Sequence, residues 1–195
     1  MKPRVVVIVQ PDDRTTLPAL AGVTDASFLV HLRFAPEGEA WEAALRARDR
    51  MPGVPFVVSA EAPRGLEGVH LGGPLRAKLG SVEAPWISVP AHTDDEVADA
   101  AQRGATAVYV SPIFATPGKG PARGVDAIVR AQALAGATSV YALGGVEASN
   151  AEACVAAGAD GVAVIRAIAG APSPADALRA IDRAVRRGRA SRGAS

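Results

Sequence analysis

Eight times along this chain a short apolar run is followed by a segment of different periodicity. That alternation constrains the fold more than any other feature. The runs fall at 5–10, 28–33, 55–60, 68–72, 86–92, 107–114, 139–145 and 161–165. They are rich in Val and Ile and close on Gly, Pro, His or polar residues, the composition of strands buried on both faces of a parallel sheet. Helical patterns cover 38–50, 93–103, 125–135, 148–157 and 173–187. Thr93-Asp94-Asp95-Glu96 has the spacing of a capping box, and Gly104, Gly136 and Gly158 are natural stops. Two segments are weaker: 15–22 holds Pro18, and 60–67 offers at most one helical turn. The last stretch, 186–195, loses its periodicity and is expected to be a disordered, solvated basic tail, leaving one domain over 1–185. Strands alternating with helices require a parallel sheet, and eight units of about 24 residues favour an α/β fold closed into a compact (β/α)8 TIM barrel. An open doubly wound sheet is the alternative. Its fingerprint is missing, because the first strand leads into Gln10-Pro11-Asp12-Asp13-Arg14 rather than G-x-G-x-x-G.

Charge narrows the partners. With 21 Lys and Arg against 20 Asp and Glu, the net charge is +1, so no global field favours nucleic acid or an anionic membrane. A small molecule is the expected partner. The single cysteine, Cys154, suits a reducing compartment. The opening apolar run is short for a signal peptide, so a cytoplasmic location is expected. Arginine dominates the cations because Lys2, Lys78 and Lys119 are the only lysines, a bias that a GC-rich genome explains.

In a barrel of this kind the chemistry sits at the carboxyl ends of the strands, with phosphate held beyond the seventh and eighth. Gly144 and Gly145 close the seventh run and let backbone approach an anion. Ile165 and Arg166 stand where the eighth run enters a helical turn, adding free amides and a positive charge. The Gly- and Pro-rich loop 111–124 carries Lys119 and has the character of a lid. His92 ends the fifth run, where an imidazole suits proton transfer. Arg33 ends the second run and suits a carboxylate or phosphate. His31 and His70 read as hydrogen-bonded interior residues, and Cys154 as packing. No spacing of Cys, His, Asp or Glu suggests a metal site.

These segments, taken in order, are specific. They are Gly68-Val69-His70-Leu71-Gly72, Ala91-His92-Thr93 with Glu96, Pro112-Ile113-Phe114-x-Thr116-x-x-Lys119, Leu143-Gly144-Gly145-Val146, Asn150, and 157–164. With them the chain resembles the superfamily of thiamine phosphate synthase and TenI, the thiazole tautomerase, over about residues 1–185. The resemblance implies a barrel that binds a thiazole phosphate at its mouth, with Thr116 among the phosphate contacts, and it allows a homodimer. In the synthases a pyrimidine diphosphate is joined to that thiazole phosphate, with magnesium on the diphosphate. Here the synthase pattern Gln-x-Arg-x-Lys reads His31-Leu32-Arg33-Phe34-Ala35. Its Asn-Asp pair reads Ser59-Ala60, and its second metal aspartate falls near Leu75. Pro90, Gly118 and Arg166 also depart from it. The tautomerase branch shares His-x-Arg and the histidine matching His92. The expectation is therefore a TenI-like isomerase without cofactor, in which His92 moves the proton. Gly144, Gly145, Ile165, Arg166 and Thr116 hold phosphate, while Arg33 and Lys119 hold a carboxylate or close the site. A magnesium-using synthase and a non-catalytic phosphate-binding barrel are the alternatives.

Overall fold

The computed structural model describes residues 2–193. Eight parallel strands close on themselves in sequence order: β1 (Val5–Val9), β2 (Phe28–Leu32), β3 (Phe56–Val58), β4 (Gly68–His70), β5 (Trp86–Ala91), β6 (Ala107–Val110), β7 (Ser139–Leu143) and β8 (Gly161–Val164). Closure is made by β8 on β1, with Val7 opposite Val164. Outside run α1 (Thr16–Leu20), α2 (Gly38–Arg48), α3 (Asp94–Gln102), α4 (Asp126–Ala135), α5 (Ala151–Ala156), α6 (Arg166–Ala169) and α7 (Pro174–Gly193). The TIM barrel expected from the alternation is the fold observed.

Period-two alternation divides the apolar residues into two cores. On β1, Val5, Val7 and Val9 pack outward against the helices, while Val6 and Ile8 point into the barrel with Leu29, Val57, Tyr109, Tyr141 and Ala163. The strands are apolar on both faces because both faces are covered. The β5–α3 corner shows how local sequence sets an element boundary. Thr93 Oγ1 accepts the Glu96 amide at 3.2 Å and Glu96 accepts the Thr93 amide at 3.2 Å, the reciprocal cap expected from the spacing.

Two local expectations are refined. Segment 60–67 forms turns and no helix, and the helical turn of that unit is instead a 3₁₀ helix over Gly73–Lys78. Segment 186–193 is not a free tail, because α7 runs on to Gly193. The arginines that break its apolar periodicity are its anchors. Arg186 donates to Asp182 and Asp25, Arg187 to Glu152, Arg189 to the Asp160 carbonyl, and Arg192 to the Val155 and Ala159 carbonyls. Residues 194–195 of the expected tail lie outside the described residues. Among the described residues no helix is long and apolar enough to cross a membrane.

Candidate active site

The loops after β6, β7 and β8 build the best-defined part of the mouth. One cavity is lined by Thr116, Gly144, Gly145, Glu147, Ile165 and Arg166, with Ala167 beside them. Five of the expected phosphate contacts therefore meet in one place. The two glycines are required twice over. Their φ angles are +93° and +66°, in the region that favours glycine. A Cβ on Gly144 would stand 2.8 Å from Pro112 Cα, and one on Gly145 would stand 2.7 Å from Phe114 Cβ. This close approach lets the loops bond to each other. The Ile113 amide donates to the Leu143 carbonyl and the Phe114 amide to the Gly144 carbonyl, both at 2.9 Å. Asn150 fixes the far side, donating to the Gly145 carbonyl and accepting the Glu147 amide, each at 2.9 Å. Across the cavity, the first-turn amides of Arg166 and Ala167 have no helical acceptor, as at any helix start. The Arg166 side chain is exposed beside them. The arrangement is a braced, amide-lined wall with an exposed cation at its rim, suited to a phosphoryl group.

His92 stands exposed at the end of β5. Its Nδ1 lies 3.1 Å from the Ser111 carbonyl and 3.3 Å from the Ser111 hydroxyl, contacts that orient the ring. Ser111, buried at the end of β6, was not singled out from the sequence, although the strand-end rule reaches it. Arg33 is exposed above the interior histidines, and its charge is felt at both. Lys119 is exposed in the loop after β6 and is not part of the cavity wall; its amide closes a turn on the Thr116 carbonyl at 3.1 Å.

Below the mouth the barrel is polar. The rings of His31 and His70 are 4.4 Å apart, and Tyr109 stacks on His70 at 4.9 Å. Ser59 bonds His31 and Ser88 bonds His70, each at 3.0 Å. Burial holds both imidazoles neutral. His31 is pushed well below the usual range, with the charges of His70 and Arg33 adding to burial, and His70 is pushed down to about 3, with Arg33 adding. Burial also pushes the Tyr109 hydroxyl up to about 12 and the Cys154 thiol up to about 12, so neither ionises near neutrality. The interior reading of the two histidines and the packing role of Cys154 match these surroundings.

The chain was compared with known proteins. The family pattern described as thiamine monophosphate synthase matches residues 29–168. The chain belongs to the thiamine monophosphate synthase family. A thiamine-phosphate synthase of Geobacillus kaustophilus is 37% identical over 164 residues, covering 77% of this chain and 73% of that protein. One from Geobacillus thermodenitrificans is 36% identical over 183 residues, covering 85% and 80%. Among solved structures, a thiamine phosphate pyrophosphorylase from Pyrococcus furiosus superposes with a TM-score of 0.77. It is 18% identical and covers 95% of this chain and 96% of its own, a likeness of fold.

Family membership overturns the tautomerase expectation, since the relatives are named synthases. The tautomerisation assigned to His92 belonged to that reading; the residue's place at the mouth does not depend on it.

The magnesium that the family resemblance implies finds no fitting ligands where the synthase pattern puts them. The hydroxyl of Ser59 is engaged by His31, Ala60 is a buried methyl, and Leu75 is aliphatic. Nearby, Glu61 pairs with Lys78 at 3.5 Å and Glu67 with Arg48 at 2.8 Å. Among the described residues no group of three or more His, Cys, Asp or Glu is placed to hold a metal ion. A hard cation needs oxygen donors that these residues do not supply.

Proposed function

We propose that the chain is a thiamine-phosphate synthase, a transferase that joins a thiazole phosphate to a pyrimidine diphosphate and releases diphosphate. The observation that carries this reading is the cavity closing β7 and β8. There Thr116, Gly144, Gly145, Ile165 and Arg166 meet on a chain 37% identical to a synthase. In this reading the braced amides hold the phosphate of the thiazole, and Arg166 adds charge at the rim. That phosphate anchors the ring over the mouth, a use of remote binding energy to position the reacting atom. Arg33 and Lys119 face the negative charge of the second substrate, and His92, oriented by Ser111, contacts the substrates as a polar residue of the mouth. The carbon–oxygen bond to the diphosphate breaks as the new bond to the thiazole forms, so the electron pair leaves with the diphosphate. In the same reading the location is the cytoplasm and the barrel is a single domain.

Incubating the purified chain with both substrates, over a range of magnesium concentrations including none, tests the reading. Thiamine phosphate and free diphosphate should appear in equal amounts. Absence of product at every magnesium concentration would sink the assignment.

A further inference from the structure

The loop between β6 and α4 carries Thr116 into the phosphate cavity, and its tip, residues 117–122, is exposed. The bonds Thr116 makes stay inside the loop. Its hydroxyl donates to the Phe114 carbonyl at 3.0 Å, and its carbonyl accepts the Lys119 amide at 3.1 Å. Where Thr116 stands therefore follows from where the stem of the loop stands. The outgoing arm of the stem, residues 112–114, lies against the glycine pair of the cavity wall. The returning arm is bonded to it, the Arg123 amide donating to the Pro112 carbonyl at 2.9 Å and the Gly124 amide to the Ile113 carbonyl at 3.0 Å. Among the described residues, Arg123 is the one residue of 114–124 whose side chain bonds to an element outside the loop. Its Nη2 donates to Asp94 Oδ1 at 2.6 Å, and the arginine side chain is only 15% exposed.

Asp94 is a firm post for that bond. It opens α3 behind the capping box of Thr93 and Glu96, where the helix dipole favours a carboxylate. Its second oxygen accepts Arg130 Nε of α4 at 2.8 Å. Arg123 Nη1 is buried and has no hydrogen-bond partner among the described residues, so the guanidinium is not seated where all its donors are met. Stability alone is a poor reason for such a residue. With Arg123 removed, Asp94 keeps Arg130, and a buried unmet donor disappears. We propose that Arg123 is a positioning residue for the phosphate site, its bond to Asp94 setting how closely the loop that carries Thr116 stands to the glycine pair. This role rests on the phosphate reading of the cavity given above, and a measurement without ligand separates the two.

The test compares Arg123→Gln with Arg130→Gln, which removes the other partner of Asp94 and leaves the loop untouched. Both should fold, with melting temperatures within about 5 °C of each other. In calorimetric titration, thiazole phosphate should bind Arg123→Gln at least ~10-fold more weakly than wild type, and Arg130→Gln as wild type does. Arg123→Lys keeps a cation facing Asp94 and should recover part of the lost affinity. Native-state hydrogen exchange needs no ligand: the Ile113 and Phe114 amides should exchange ~10-fold faster in Arg123→Gln and not in Arg130→Gln. Wild-type affinity in Arg123→Gln, equal weakening by Arg130→Gln, or no recovery in Arg123→Lys overturns the proposal. Failure of wild type to bind thiazole phosphate overturns the phosphate reading instead, and the exchange rates then decide whether Arg123 sets the loop: unchanged rates in Arg123→Gln mean that it does not. Should Arg123→Gln not fold, Arg123→Lys replaces it in both measurements, and wild-type affinity with wild-type exchange there overturns the proposal.

Discussion

Gly145→Ala tests the idea that close approach between the β6 and β7 loops, rather than a flexible turn, builds the phosphate wall. Two costs add. At φ +66° an alanine enters the left-handed region at about 1 kcal/mol. Its Cβ would also stand 2.7 Å from Phe114 Cβ and 2.9 Å from the Ala115 carbonyl, atoms fixed to the backbone, so the loop must retreat. Retreat loosens the bond from the Phe114 amide to the Gly144 carbonyl, worth about 1 kcal/mol. The sum is about 2–3 kcal/mol, a fall in Tm of about 5–10 °C for a chain of this size. Gly53→Ala is the control: φ is +81°, but its Cβ would meet nothing within 4 Å. It should lose only the conformational share, about 2–4 °C. Differential scanning calorimetry of both variants gives the difference, and titration with thiazole phosphate should show ~10-fold weaker binding by Gly145→Ala alone. Equal losses of Tm, or undiminished binding by Gly145→Ala, would refute the reasoning.

Asp182, 2% exposed, accepts from Arg4 at 2.6 Å, Arg186 at 2.8 Å and the Ser27 amide at 3.2 Å. Asp182→Ala strands the half-buried Arg4 and should cost about 3 kcal/mol, measurable as a lower urea midpoint. Removing the Asn150 clamp with Asn150→Ala should raise KM for thiazole phosphate several-fold while kcat changes little, as steady-state kinetics would show. His31 and His70 have folded pKa values below the ordinary 6.5, so the unfolded chain binds more protons. Their stabilising share is complete above pH 6.5 and is lost as pH falls toward 3. His70 should cost about 2 kcal/mol of stability at pH 5 relative to neutrality, His31 acts in the same direction, and denaturant titrations of His70→Gln should show a shallower pH slope than wild type.

The fold was legible because burial on both faces turns every barrel strand into an apolar run, and all eight runs became strands. Boundaries slipped where strands stop at the mouth: the run at 107–114 yields a strand of only four residues, Ala107–Val110, because the chain turns at Pro112. The C-terminal helix was cut short for a different reason. Its last turns are held by arginine donors to carbonyls of distant elements, and no apolar repeat announces such contacts. In the site, the glycine pair was readable because backbone conformation demands glycine. Ser111 and the bracing by Asn150 depend on which loops become neighbours, and that is tertiary information. The choice between branches went wrong because side chains at a mouth can change while the barrel beneath them stays. Identity summed over the barrel carries the family, and individual rim residues do not.

That division predicts how the two substrates should behave. Of the departures from the synthase pattern, Phe34, Ala35, Ser59, Ala60 and Leu75 lie beyond β2, β3 and β4, Pro90 lies in β5, and Gly118 and Arg166 follow β6 and β8. The amide wall, its glycines and its Asn150 brace all lie on β6, β7 and β8. If each half of the mouth serves one substrate, the thiazole phosphate half keeps its amide wall despite the changes at Gly118 and Arg166, and the diphosphate half lacks the carboxylates of the pattern. Titrating each compound separately should then give tight thiazole phosphate binding that a chelator does not change, since backbone amides need no metal. Binding of the pyrimidine diphosphate should be weaker and governed by Arg33, so that Arg33→Gln reduces it at least ~10-fold and leaves thiazole phosphate binding untouched. Loss of thiazole phosphate binding in the chelator, or in Arg33→Gln, would show that the two halves are one site.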